Sequence, residues 1–217
     1  MDFLEKFDIH ITDKDLLLTA LTHSSYANEH NCISYERLEF LGDSVLQILM
    51  SDYLYNNMDL NEGNMSKTRA SYVCEAACAY YAKRVDYFPY IRVGHGQIGK
   101  INDTIVADIF ESIMGCIYLN LGLDKAKKLF DKVVIPCVEE HDMFFGDYKS
   151  RLQEMVQTDK KSLEYRVIKE VGPAHDKEFT IEVVVDDIVY GRGVGKSKKE
   201  AEQNAALDAI KKNALNK

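Results

Sequence analysis

Acidic residues interrupt two of the most apolar stretches of this chain. In YERLEFLGDSVLQILM (Tyr35–Met50), Glu36, Glu39 and Asp43 stand at positions i, i+3 and i+7. At about 100° per residue, that spacing makes one acidic stripe on a helix, with apolar residues on both sides. In IVADIFESIMGCIYL (Ile105–Leu119), Asp108 and Glu111 are three apart on one face of an otherwise apolar helix, and Glu62 precedes Gly63 at the mouth of a third. Charges are rarely buried unless paired or bound to a metal. Solvated faces, or ion pairs with Arg37, Lys67 or Arg69, would account for one such pair. Two pairs on the two most apolar helices, with few cations beside them, point instead to a divalent cation. All-oxygen sites suit Mg²⁺, Mn²⁺ or Ca²⁺, and Mg²⁺ prefers a few carboxylates with waters and substrate phosphate. Such a site activates water and clamps the oxygens of an in-line phosphoryl displacement, so the pattern suggests metal-assisted phosphodiester cleavage.

The elements that must carry these acids are helical through the first two-thirds of the chain. Asp13 can cap a helix running to about His23. The stripe-bearing helix spans about Tyr35 to Asn57, with Leu38, Phe40, Leu41, Val45, Leu46, Ile48 and Leu49 expected to be buried. Ser66 is expected to open a segment to about Val85. GHGQIGK (Gly94–Lys100) lacks both the preceding strand and the spacing of a phosphate-cradling loop, so it reads as a turn. A very apolar helix follows from Asp103 to Leu121. Gly122 breaks it, and Asp124 to about His141 forms another, bent or ended near Pro136.

The last third changes grammar. DYKSRLQEMVQ (Asp147–Gln157) reads as a helix. LEYRVIKEV (Leu163–Val171), KEFTIEVVVDD (Lys177–Asp187) and IVYGRGV (Ile188–Val194) alternate with period two, the last two joined by a tight Asp-Asp turn. An Ala-rich amphipathic helix from Ser197 to Lys212, capped by Ser197, closes an α-β-β-β-α order. The boundary falls near Phe145–Asp147, giving an all-α unit (1–146) and an α+β unit (147–217). A fold that reads double-stranded RNA places one helix in a minor groove, an inter-strand loop in the next, and the start of the last helix against phosphates between them, the bland alternative here being a solvated helix start. On that geometry Gln153 and Glu154 would meet 2′-hydroxyls. GPAH (Gly172–His175) would form the loop, bringing His175. Lys196, Lys198 and Lys199, with free helix-end amides, would meet phosphate.

Composition is consistent with this division. The 217 residues carry a net charge of −8 and 46% apolar side chains. Residues 1–146 hold 13 Lys+Arg against 22 Asp+Glu, whereas residues 147–217 hold 14 against 13, so local patches decide the partner rather than the total. No apolar run approaches the roughly 20 residues that span a bilayer. The start, MDFLEKFDIH, has no secretion signal. The five cysteines, with no CxxC pair, read as small buried thiols in a reducing cytoplasm.

ERLEFLGDSVL (Glu36–Leu46) resembles the long signature of the ribonuclease III family. NEGNMSKTRASYV (Asn61–Val73) and ADIFESIMGCIYL (Ala107–Leu119) resemble its next two motifs, in the same order. GPAH and GKSKKEAEQNAA resemble its double-stranded RNA-binding domain. The resemblance spans essentially the whole chain and matches the minimal bacterial form. It implies an all-α endonuclease domain followed by an α+β double-stranded RNA-binding domain. Glu39, Asp43, Asp108 and Glu111 match the family's metal-binding catalytic carboxylates. Glu36 and Glu62 match further acids, the first tied mainly to the dimer interface and the second to cleavage or metal and substrate contacts. The resemblance further implies a Mg²⁺-dependent hydrolase, with Mn²⁺ a substitute. Such an enzyme works as a homodimer on duplex RNA and leaves 5′-phosphates and short 3′ overhangs, with ribosomal and messenger RNA precursors among its substrates. No membrane partner and no small-molecule cofactor are implied. The chain departs from the family in a less charged 94–106 loop, and in Glu202 where many eukaryotic domains place lysine. A non-catalytic RNA-binding protein is the alternative, but all four acids are present. His141-Asp142 lacks the pattern of a His-Asp phosphohydrolase, and Ser44 lacks a nucleophile turn.

Overall fold

Asp13 starts the first helix as its spacing predicts, its carboxylate accepting a hydrogen bond from the Leu16 amide at 2.9 Å. The computed structural model describes residues 2–140, 148–158, 162–173 and 177–214, apart from the side chains of 150, 151, 154, 157, 158, 213 and 214. The chain divides into two compact units, Met1–Phe145 and Gly146–Lys217.

The described part of the first unit is helical: α1 (Lys14–Ala20), α2 (Ser24–His30), α3 (Glu36–Asn57), α4 (Glu62–Tyr72), α5 (Glu75–Val85), α6 (Asp103–Leu121), α7 (Leu123–Val133) and α8 (Ile135–Glu139). Three expected boundaries change. The first helix stops at Ala20 rather than His23. The segment expected from Ser66 opens earlier, because Asn61 caps α4 by accepting from the Asn64 amide at 2.9 Å. That segment is also two helices, since Cys74 takes extended backbone and restarts the chain as α5. Pro136 sits in the first turn of α8, where its missing amide costs no helical bond, and Val134 separates α8 from α7. The expected end at His141 lies outside the described residues.

The core is organised around α6, whose Ile105, Val106, Ala107, Ile109, Phe110, Ile113, Met114, Cys116 and Ile117 are buried. By length and composition this helix could cross a bilayer, which the sequence reading did not anticipate, but most of it is covered by the other helices of this unit. Its main neighbour is α3. The two helices cross backbone to backbone at a pair of glycines. A Cβ on Gly42 would lie 1.7 Å from the Glu111 carbonyl oxygen, and one on Gly115 would lie 2.4 Å from the Leu38 carbonyl oxygen. A glycine inside a helix costs about 1 kcal/mol relative to alanine. Here the close approach of the helices requires it. Gly42→Ala is therefore expected to lose about 3 kcal/mol of stability or more, because backbone rather than a flexible side chain must move. Urea unfolding checks this, and an unchanged midpoint would contradict the crossing.

Two residues expected in the core of α3 face outward. Phe40 is 79% and Ile48 54% exposed, and Tyr55 on the same side is 77% exposed. The buried stripe consists of Leu38, Val45, Leu46, Leu49, Met50 and Leu54. Among the cysteines, Cys32 is exposed and Cys74 half-buried, so only Cys78, Cys116 and Cys137 are buried as expected.

The second unit contains α9 (Tyr148–Thr158), the strands β1 (Leu163–Val171), β2 (Glu178–Val185) and β3 (Ile188–Gly195), and α10 (Lys198–Ala214). The strands pair antiparallel in the order β1-β2-β3. Asp186 and Asp187 both take positive φ, 47° and 64°, as a two-residue hairpin turn of this hand demands. The alternate glycines of β3 lie against α10: a Cβ on Gly193 would come 2.2 Å from the Ala205 nitrogen. Ala201, Ala205 and Ala209 on α10 complete this close contact.

Candidate active site and nucleic-acid interface

The glycine crossing brings the two acidic pairs to one place. Asp43 follows Gly42 on α3, and the carbonyl of Glu111 is what a side chain at position 42 would strike. Asp43 and Asp108 there act on both Glu39 and Glu111. Glu111 is pushed up to about 8, mainly by burial and then by Asp43, with Glu39 and Asp108 adding to the rise and a hydrogen bond from Cys78 opposing it. Glu39 is raised by burial and by Asp108, Glu36 and Asp43. Asp108 is raised by burial, against a lowering hydrogen bond from Tyr35; Glu75 raises it and His23 lowers it. The charged groups that act most on Glu39 (Asp108, Glu36 and Asp43) and on Glu111 (Asp43, Glu39 and Asp108) are all acidic.

Each of three acids also has a neutral neighbour that engages one oxygen. Gln47 Nε2 donates to Asp43 Oδ2 at 2.8 Å, one turn along α3. Tyr35 Oη donates to Asp108 Oδ2 at 2.9 Å, and the Cys78 thiol lies 3.6 Å from Glu111 Oε1. Among the described residues, no three His, Cys, Asp or Glu side chains converge closely enough to grip an ion. The donor set nonetheless fits a hard divalent cation. It is all oxygen, it carries several like charges, and a cation would remove the repulsion that raises Glu39 and Glu111.

The two further acids separate. Glu36 is exposed, accepts from Ser34 Oγ at 2.9 Å, and acts on Glu39. Glu62 is exposed on the first turn of α4, accepts from Ser66 Oγ at 3.0 Å, and borders a hollow of about 550 Å³ with Ile48, Tyr55, Met65 and Arg69. Sequence reasoning missed Tyr35, Gln47, Cys78 and the two glycines. The glycines had a signal, since each sits inside an otherwise helical stretch. Tyr35 and Cys78 had none, because their partners lie 73 and 33 residues away.

In the second unit, Gln153 is exposed on α9, and Lys196, Lys198 and Lys199 are exposed at the start of α10. The side chain of Glu154, and His175 altogether, lie outside the described residues. One expectation needs correction. The amides at the start of α10 are not all free: Ser197 Oγ accepts from the Glu200 amide at 3.1 Å, and Glu200 Oε2 accepts from the Lys196 amide at 2.7 Å. This is a capping arrangement, so phosphate attraction there falls more on the lysine ammonium groups. Glu202 on α10 is paired with Lys149 on α9 at 2.5 Å, which ties the two helices together. The GHGQIGK stretch is a turn as expected. It is held to α2 by the Gly94 amide donating to Ser25 Oγ at 2.9 Å and by the His95 amide donating to Glu29 Oε1 at 2.9 Å.

Comparison with known proteins adds two kinds of likeness. Residues 13–138 match the family described as ribonuclease-III-like, and residues 148–213 match the double-stranded RNA binding motif. Ribonuclease 3 of Listeria innocua is 45% identical, with 90% of each chain covered. Ribonuclease 3 of Caldanaerobacter subterraneus is 42% identical over 96% of this chain and 95% of that one. Among solved structures, the nuclease domain of ribonuclease III from Campylobacter jejuni matches with a TM-score of 0.57 at 32% identity, covering 61% of this chain and 94% of that one.

Proposed function

The chain belongs to the ribonuclease III family, and from that premise we infer that Glu39, Asp43, Asp108 and Glu111 form its cutting centre. It is an endoribonuclease of double-stranded RNA with a separate RNA-binding unit. The observation that carries the assignment is the meeting of two acidic pairs across the Gly42–Gly115 crossing, where Asp43 and Asp108 both raise Glu39 and Glu111.

Glu39 and Asp43 from α3, and Asp108 and Glu111 from α6, are the residues that would hold Mg²⁺, or Mn²⁺ in its place. When bound, such an ion supplies Lewis acidity at the scissile phosphate and a water of lowered pKa. The chain's own contribution is to present these acids from two helices locked backbone to backbone. Gln47, Tyr35 and Cys78 each occupy one carboxylate oxygen of three of them. The proposed products are 5′-phosphate ends with short 3′ overhangs, from substrates that include ribosomal RNA precursors. The free thiols suit work in the cytoplasm.

The test is cleavage of a perfect RNA duplex, with a DNA duplex as control. Cutting of RNA that needs Mg²⁺, stops in chelator and spares DNA is expected. Equal cutting in chelator would refute the metal assignment.

The lysines of α10 carry a separate expectation. Phosphate contacts are independent of sequence and sensitive to salt. Lys198→Ala with Lys199→Ala should weaken duplex RNA binding and reduce its log–log salt slope by about two, roughly one per lost contact. Cleavage should persist at low salt and high enzyme concentration. A salt series on the full chain and on the double variant decides, and identical slopes would remove these lysines from the interface.

A further inference from the structure

Tyr35 is placed as an anchored donor. It is 4% exposed, its amide donates to the Thr22 carbonyl at 2.9 Å, and its ring centroid lies 5.7 Å from that of His23. The packing of that ring requires no hydroxyl. The hydroxyl nevertheless reaches across to α6 and donates to Asp108 Oδ2 at 2.9 Å. Among the described residues, no other protein donor bonds the Asp108 side chain. A carboxylate on a helix has two rotatable bonds, and a single buried donor on one oxygen restricts both. The other oxygen is then left presented in one orientation.

We infer that Tyr35 is a positioning residue, orienting the Asp108 carboxylate through its hydroxyl for the ion that the cutting centre would hold. This rests on the reading of Asp108 as one of the four ligating acids. Donors that orient ligating groups typically contribute about 10- to 100-fold to metal affinity, because an unrestrained ligand must be ordered when the ion binds. Cys78 beneath Glu111 is in a similar position, but a thiol at 3.6 Å is a weaker restraint.

Tyr35→Phe keeps the ring and removes only the hydroxyl. The measurement is Mn²⁺ binding to the full chain without RNA, by electron paramagnetic resonance, alongside the Mg²⁺ dependence of cleavage. Mn²⁺ affinity should fall about 10-fold, and the Mg²⁺ concentration for half-maximal cleavage should rise by a similar factor. The rate at saturating Mg²⁺ should stay within about threefold of wild type, since the acids themselves are intact. A lower melting temperature with unchanged Mn²⁺ affinity would assign Tyr35 a purely structural role and overturn the inference. Asp108→Asn separates this from failure of the underlying assignment. If Asp108→Asn weakens Mn²⁺ binding and Tyr35→Phe does not, the positioning role is wrong and the centre stands. If neither variant weakens it, the assignment of Asp108 fails, and the role of Tyr35 fails with it.

Discussion

Glu111→Gln will bind duplex RNA as the wild type does and cut it at least about 10³-fold more slowly, the equivalent of about 4 kcal/mol of barrier. The amide keeps the shape of the side chain and removes the charge that a hard cation needs. The same variant has a second signature that requires no RNA. Glu111 titrates near 4.5 in an unfolded chain and is pushed up to about 8 in the fold, first by burial and then by Asp43. Between those values the folded protein holds a proton that the unfolded chain has lost, so this group's contribution to stability falls as pH rises through the window and is level outside it. In chelator, wild type and Glu111→Gln should differ least near about pH 4. The variant should gain progressively toward about pH 8, where the wild type must bury a charge. Adding Mg²⁺ should raise the wild-type melting temperature more than that of the variant, because binding to the folded state stabilises it. Near-normal cleavage by Glu111→Gln at low Mg²⁺ would remove Glu111 from the centre. A stability gap that narrows with rising pH would contradict the electrostatics of the site.

Phe40→Asp is expected to dissociate the proposed homodimer. Phe40, Ile48 and Tyr55 stand exposed on one side of α3, the side that a second copy of the chain would cover in the proposed dimer. In a two-fold interface each substitution counts twice. Two buried aromatic anchors at about 2 kcal/mol each give about 4 kcal/mol, or about 10³-fold in the dimer dissociation constant. Sedimentation velocity over a concentration series should show a dimer at micromolar wild type and a monomer for the variant. Cutting of both strands should decline with the dimer if each subunit of it supplies one of the proposed centres. A variant that sediments as the wild type does would remove Phe40 from the interface. A wild-type monomer that still cuts both strands would sink the dimer itself.

Sequence alone determined the longest helices and the three strands, because the signals for these are local; it resolved neither α2 nor the break at Cys74 that divides α4 from α5. Asp13 caps, Gly122 terminates, and the Asp186-Asp187 turn joins two alternating runs. The acidic stripe of α3 and the pair on α6 were legible for the same reason, since spacing on one helix is a property of neighbouring residues. One start was read too late: Asn61 caps α4, which begins before Ser66. Only the tertiary structure brought the two acidic pairs together, through a crossing that depends on Gly42 and Gly115 in different helices. It also set Tyr35 under Asp108 and Cys78 under Glu111, contacts between residues far apart in the chain that leave no periodicity to read. It turned Phe40 and Ile48 outward as well. An apolar residue on a helix has the same sequence signature whether its own core or another molecule covers it, and only packing distinguishes the two.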